Sequence, residues 1–441
     1  MNNYQQYLQE IAKPFQKIAK LEFLQPDNTV AFSLDSNHKR GYMSRYDSRA
    51  FIQSGSLSVT LANGQRRKAT ITLANVDKQF EFAVNNLWIG QKVRLSMGIR
   101  LSNGEDFYLP QMVGYISNPQ SAFEPGSDTV TFPIVDKWAA LDGTILGTFP
   151  ASHKVLAGSN IYAAMRKILQ LSKYTYLNLT TEQMAKYGYE NDFLDNVIPV
   201  FTNYYDDKTY LVADSDGAIT QNVSMLTVPY DATETMGGTA GKLMLQLNDM
   251  LAGIIGYNAV GAMTVEPSQQ DISDATKPIL WTFTPENSQL LKINETTNTS
   301  DIYNNVIITG EGLSGKEVWG AASNYDPRSE TNINLIGMRT LVESGAGYWN
   351  SQQCVSLANW KLKRKCIVQK SVNISSSQMF HLAENELVRV IRTDKPNAPV
   401  ETHLINSFTL PIGESGEMTI NATSVNDIAT ITTTSSEDEN D

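Results

Sequence analysis

The stretch from Asn86 to Ala139 carries the pattern that most limits what this chain can fold into. Val93, Leu95, Met97, Ile99 and Leu101 fall on alternate positions, with Lys92, Arg94, Ser96, Gly98 and Arg100 beside and between them. A period of two marks a half-buried strand, because successive side chains point to opposite faces of a sheet. Ser102-Asn103-Gly104-Glu105 comes next, and Asn-Gly tolerates the positive φ that a tight hairpin needs. A second strand is expected over 107–116. A third carries Val130, Phe132 and Ile134 on one face and is closed by Asp136-Lys137-Trp138. The three make an antiparallel meander with no catalytic signature in it. One face packs inward; the other offers Lys92, Arg94 and Arg100 to neighbours or to a channel.

The same period recurs elsewhere. Leu57, Val59 and Leu61 alternate up to Asn63-Gly64, and Ala69, Ile71 and Leu73 alternate on the way back. Residues 1–143 therefore read as a short helix followed by a β-barrel or sandwich. Residues 144–300 change character. Ile161, Ala164, Met165, Ile168 and Leu169 keep a helical period, as do Leu243, Leu247, Met250 and Leu251. This reads as an α+β insert. Strands return over 301–425, with one helix opened by Asn350 and Gln353, whose spacing fits a relaxed capping box. Asn332 to Val342 reads as a strand with polar interruptions, and 426–441 as a disordered acidic end. The fold class expected is mainly β with an α+β insert between two β domains.

Chemistry is poorly supplied. Gly310-Glu311-Gly312-Leu313-Ser314-Gly315-Lys316 matches two phosphate-binding patterns, but both need a helix directly after them. The segment after Lys316 is short, β-leaning and interrupted by Gly320, so a hairpin connection is expected. His38, His153, His381 and His403 show no metal-ligand spacing. The pairs Asp206/Asp207, Asp192/Asp195 and Asp214/Asp216 are the carboxylates that could flank a glycosidic bond. Catalytic, cofactor and metal residues are accordingly expected to be none. Lys361, Lys363, Arg364 and Lys365 form the one dense basic run, at a helix C-terminus where cations complement the dipole. They join Lys92, Arg94 and Arg100 as candidate contacts to a channel or partner.

The formal net charge of −11 argues against tight nucleic-acid binding, though not against a surface past which DNA slides. Cys354 and Cys366 would lie roughly 18 Å apart on one helix, too far for a disulfide. Two buried free thiols fit assembly in a reducing cytoplasm. The start of the chain carries no basic and apolar secretory signal. The most apolar run, Met250 to Met263, is too short to span a bilayer and contains Asn258.

Three segments of the first block carry a resemblance. They are Arg66-Arg67-Lys68-Ala69-Thr70-Ile71-Thr72-Leu73-Ala74-Asn75, then Leu87-Trp88-Ile89-Gly90-Gln91-Lys92-Val93, then Val135-Asp136-Lys137-Trp138-Ala139-Ala140-Leu141-Asp142-Gly143. This block resembles the amino-terminal barrel of phage tail baseplate hub proteins. Tyr303 to Gly310, the helix from Asn350, the strand at Leu387-Val388-Arg389-Val390 and the stretch from Leu247 to Pro267 are similar to later parts of such hubs. The resemblance implies two tube-like β domains and a homotrimeric ring, which joins the tail tube to the tip and lets DNA pass without specific binding. It also implies contacts with a tail tube or distal tail protein, a tape measure protein, and a spike or fibre protein. The place implied is the virion's tail tip, after assembly in the host cytoplasm. Two other readings stay open: a cell-wall or carbohydrate hydrolase of the tail tip, and a spike-like hub of a type VI secretion apparatus.

Overall fold

A computed structural model of the chain describes residues 2–25, 28–36, 51–75, 78, 80, 90–124, 127–177, 197–199, 209–213, 219–224, 227–228, 231–251, 253–266, 278–286, 289–298, 302–312, 315–345, 350–366, 369–413, 416–425 and 431–436. A helix (Asn3–Glu10) opens the fold, and the side chain of Asn2 caps it. Eight strands come after it: β1 (Gln16–Leu24), β2 (Val30–Asp35), β3 (Phe51–Thr60), β4 (Arg67–Ala74), β5 (Lys92–Arg100), β6 (Asp106–Ile116), β7 (Gln120–Glu124) and β8 (Ser127–Asp136). The alternation read from the sequence sets their inner faces. Leu95, Ile99, Ile71, Leu73 and Phe132 are fully buried. The turn at Gly104 has the positive φ expected, +86°.

The insert starts with β9 (His153–Val155) and the helix Ile161–Leu177. It continues through β10 (Val197–Pro199), β11 (Thr209–Ala213), β12 (Ile219–Ser224) and β13 (Ala232–Glu234) to the helix Ala240–Asp249, β14 (Ile254–Tyr257) and β15 (Met263–Glu266). Its core is not self-contained. Trp138 and Leu141, at the end of the meander, pack among Ile161, Met165, Leu243, Leu247 and Tyr257.

The last part holds β16 (Ile279–Phe283), β17 (Leu290–Asn298), β18 (Asn305–Glu311), β19 (Glu317–Asn324), β20 (Thr340–Ser344), the helix Ser351–Lys365, β21 (Gln369–Ser376), β22 (Leu387–Ile391), β23 (Val400–Ile412), β24 (Met418–Ser424) and β25 (Ile431–Ser435). The protein is mainly β, with strands from both ends of the chain forming one 14-stranded sheet. β23 joins its two halves. Val400 to Leu404 pair with β22, and Ser407 to Ile412 pair with β3. The pairing of β23 with β24 shifts between Ile405 and Ser407. Such an irregularity bends a strand and raises its twist, which lets it leave one half and enter the other. The halves also share a core, in which Phe23, Phe132 and Ile71 are continuous with Val372, Val390, Phe408 and Ile420.

Three details differ from the sequence reading. β16 and β17, read as part of the insert, pair in the large sheet with β22 and β21. Asn332 caps a single helical turn (Ile333–Ile336) before β20, where a continuous strand was expected, because its side chain captures the N–H of Asn334. In the acidic end, Ile431–Ser435 is a strand on β19, supported by β-branched Ile431, Thr432, Thr433 and Thr434.

β18, β19, β20 and β25 form a separate four-stranded sheet under the Ser351 helix. As expected, the side chain of Asn350 caps that helix at the N–H of Gln353, 2.6 Å away. Cys354, on that helix, and Cys366, at its C-cap, are both free and buried. The approach of helix to sheet is set by Gly320, where a Cβ would lie 2.3 Å from the backbone nitrogen of Val355. Gly320→Ala should therefore cost about 1–3 kcal/mol. Chemical denaturation checks this, and an unchanged midpoint would show that the helix can ride higher.

Candidate functional site

The candidate contacts read from the sequence divide between two units. Lys92 is only 6% exposed, which leaves its ammonium little surface to offer a neighbour or a channel. Arg94 is directly across the sheet from Glu22 and bonds it at 2.6 Å. Arg100 is across from Asp106 and bonds it through two nitrogens, at 2.7 and 3.2 Å. Cross-strand register thus supplies each arginine with a carboxylate. On the Ser351 helix, Lys361 pairs with Glu343 of β20, and Lys363 and Lys365 are half-buried. The Arg364 side chain lies outside the described residues.

The strongest concentration of charge is one that the sequence reading passed over. Arg67 continues the inward face of Ala69, Ile71 and Leu73, and Asp136 continues that of Val130, Phe132 and Ile134. The two strands pair, with Lys68 opposite Val135, so the charged positions fall opposite each other at the end of the ladder. An inward-facing charge at the end of an apolar alternation was the available signal. Asp136 is fully buried and accepts backbone N–H groups from Arg66 (2.7 Å), Arg67 (2.9 Å) and Trp138 (3.0 Å). Burial pushes its carboxyl up to about 6, against the pull of those three donors.

Three segments of chain converge there. Arg67 donates to the carbonyl of Gln111 at 2.8 Å and pairs with the buried carboxylate of Glu384, which precedes β22. Arg66 donates to the carbonyl of Ala62 at 2.9 Å, with Glu266 of the insert 3.8 Å away and Glu384 3.9 Å away. Lys137 bonds the carbonyl of Gly261 at 3.2 Å and lies over the ring of Tyr257. The turn before β4 adds backbone bonds, with the N–H of Gly64 donating to Ile255 and the N–H of Ile255 to the Asn63 side chain. Arg66, Arg67 and Lys137 balance Asp136, Glu266 and Glu384 in charge. This junction locks the insert and both halves of the large sheet into one frame.

Among the described residues, both cysteines and His403 are buried and His381 is half-buried. Burial pushes both cysteine thiols up to about 12, away from the reactive thiolate. His381 is pushed down to about 4 by burial and contacts the Tyr7 hydroxyl at 3.0 Å. His403 is buried 3.4 Å from Glu401, and burial is the main cause holding its pKa down. His38 and the three aspartate pairs lie outside the described residues. Among the described residues no group of three or more His, Cys, Asp or Glu could hold a metal ion, and no helix is long and apolar enough to cross a membrane. The Gly310 segment is a hairpin connection between β18 and β19, closed by the N–H of Gly312 on the carbonyl of Lys316. Among the described residues no helix N-terminus stands there to receive a phosphate.

The exposed apolar surface gathers elsewhere. Leu335 (70% exposed), Met338 (57%) and Val342 (60%) lie within one short segment at the edge of the four-stranded sheet. Val342 is in register with Ile307 and, beyond it, Ala321, on the face turned away from the Ser351 helix. Clusters of this kind suit contacts between proteins better than chemistry.

No protein-family model matches the sequence, and no curated protein matches it. Solved structures do. A tail protein from Neisseria meningitidis MC58 superposes with a TM-score of 0.54 over 94% of this chain and 97% of its own, at 8% identity. A 43 kDa tail protein of prophage MuSo2 from Shewanella oneidensis does so at 0.50, over 93% and 98%, at 11% identity. At such identities what is shared is the arrangement of the backbone, and by that arrangement this chain has the fold of phage tail proteins.

Proposed function

We propose that the chain is a structural, non-enzymatic baseplate hub of a phage tail. Three copies form a ring that joins the tail tube to the tip and lets DNA pass. The observation that carries this reading is a fold shared with two tail proteins over nearly the full length of each chain. The buried cysteines and the buried, charge-balanced junction suit a protein whose work is to hold shape. The net charge of −11 suits a surface that DNA passes without adhering. On this reading the neighbours are a tail tube or distal tail protein above, a tape measure protein within, and a spike or fibre protein below. The chain is assembled in the host cytoplasm and ends in the virion at the tail tip. Arg94, Arg100 and the basic run from Lys361 to Lys365 are the side chains proposed to meet channel or partner, and Lys92 is too deeply buried to join them.

Native mass spectrometry of the purified full chain tests the ring. The expected species has about three times the 48.9 kDa of one copy. Only monomers or dimers, at concentrations where tails assemble, would sink the ring.

A further inference from the structure

A groove of about 480 Å³ opens in the insert between β9 and the first turns of the Ile161 helix. Its floor is apolar, made by Phe149, Val155, Ala164, Ile168 and Leu243. Leu156, 60% exposed, stands at its lip. The charged and titratable groups that line it are His153, Lys154 and Lys167, and no carboxylate does, although the chain as a whole is acidic. The ring of His153 rests on that of Phe149, with centroids 4.1 Å apart. Lys154 is held by Asp231 from outside the groove. Lys167 is exposed and has no carboxylate partner among the described residues.

The wall of the groove is itself unfinished. β9 pairs antiparallel with β13 along one edge, with Val155 opposite Ala232 and His153 opposite Glu234. That sheet has two strands, so the second edge of β9 meets no strand among the described residues. A free strand edge beside an apolar groove is how proteins take up extended peptides. Main-chain hydrogen bonds hold the peptide, and alternate side chains fill the groove. The volume falls within the usual range for ligand sites, about 300–1,000 Å³.

We propose that this groove binds an extended segment of a partner protein, added as a strand along the free edge of β9. Its apolar side chains, spaced by two, occupy the floor. A flanking aspartate or glutamate meets Lys167. Charge selects the partner: the rim attracts acidic segments and repels basic ones. The inference does not rest on the ring, because a single copy contains the whole groove.

A displayed library of random seven-residue peptides, selected on the purified full chain, provides the test. The same library is selected in parallel on Ala163→Trp, which blocks the groove from an exposed rim position of the helix. Circular dichroism establishes that this variant folds. The expected result is a peptide set enriched at least about tenfold over Ala163→Trp, with apolar residues at alternate positions and an acidic residue beside them. Lys167→Glu, a surface change, should weaken that set about tenfold, equivalent to ~1.4 kcal/mol, and should enrich basic residues in its place. No enrichment over Ala163→Trp, or an enriched set without the period of two or the acidic residue, would overturn the proposal. So would a mass equal to two copies that Ala163→Trp returns to one, since the occupant would then be a second copy.

Discussion

Replacing Arg67 with alanine is expected to lower the stability of the fold by about 3–5 kcal/mol, because it strands a buried carboxylate. Glu384 is 5% exposed and has Arg67 as its close cation, while Arg66 stands off at 3.9 Å. The carbonyl of Gln111 loses its donor as well. Glu384→Ala should cost a similar amount, since it leaves two buried guanidinium groups with one carboxylate fewer. The pair Arg67→Met with Glu384→Leu should recover most of the loss, because two apolar side chains of like volume need no compensating charge. Denaturant unfolding of the four proteins checks these differences, and adding the double variant Arg67→Ala with Glu384→Ala closes the cycle that gives the coupling energy. A loss under about 1 kcal/mol for Arg67→Ala would show that the junction is hydrated and not a tie between the two ends of the chain.

The second large effect is expected at Gly256. A Cβ there would stand 2.3 Å from Nε of Arg66 and 2.7 Å from its Cδ. Arg66 has little freedom to yield, with Ala62, Glu266 and Glu384 around it and with burial already pushing its pKa down. Gly256→Val must therefore lift β14 from the frame or drive a guanidinium out of its cluster. We expect a loss of about 3 kcal/mol or more, the sum of overpacking and a broken ionic contact. The insert should suffer first. Limited proteolysis should cut within 144–266 while fragments of the large sheet persist. Equal protection of the insert in the variant and the parent would mean that the insert is not clamped at this point.

Both results bear on the proposed role. A hub that transmits load between tube and tip needs its parts held as one body. The charge-balanced junction is where this chain does so, with contacts from residues about 70, 200 and 320 positions apart in sequence. Buried ionic contacts are a weak source of stability but a strong constraint on arrangement, since any displacement leaves a charge without a partner.

The local order of the fold was legible from residues alone. Period-two alternation identified β3, β4, β5 and β8 and assigned a buried face to each, because the pleat repeats every second residue whatever the strand pairs with. Asn350 marked its helix start, and the missing helix after Lys316 disqualified the Gly310 segment, because caps and turns are decided within a few residues. The resemblance to tail hubs rested on such segments, and the mainly β class they implied is the one found. The tertiary structure alone decided which strands meet. β23 serves two halves of one sheet, β16 and β17 leave the insert for that sheet, and Glu384 reaches Arg67 across 317 positions. Nothing in a local pattern records these choices. They depend on closing long loops, and the entropy of closure is repaid only when the shared core and the buried charges come together at once. Asp136-Lys137-Trp138 joins the two kinds of information. Its place at the end of a strand could be read directly, but its partners could be known only once the chain had folded back on itself.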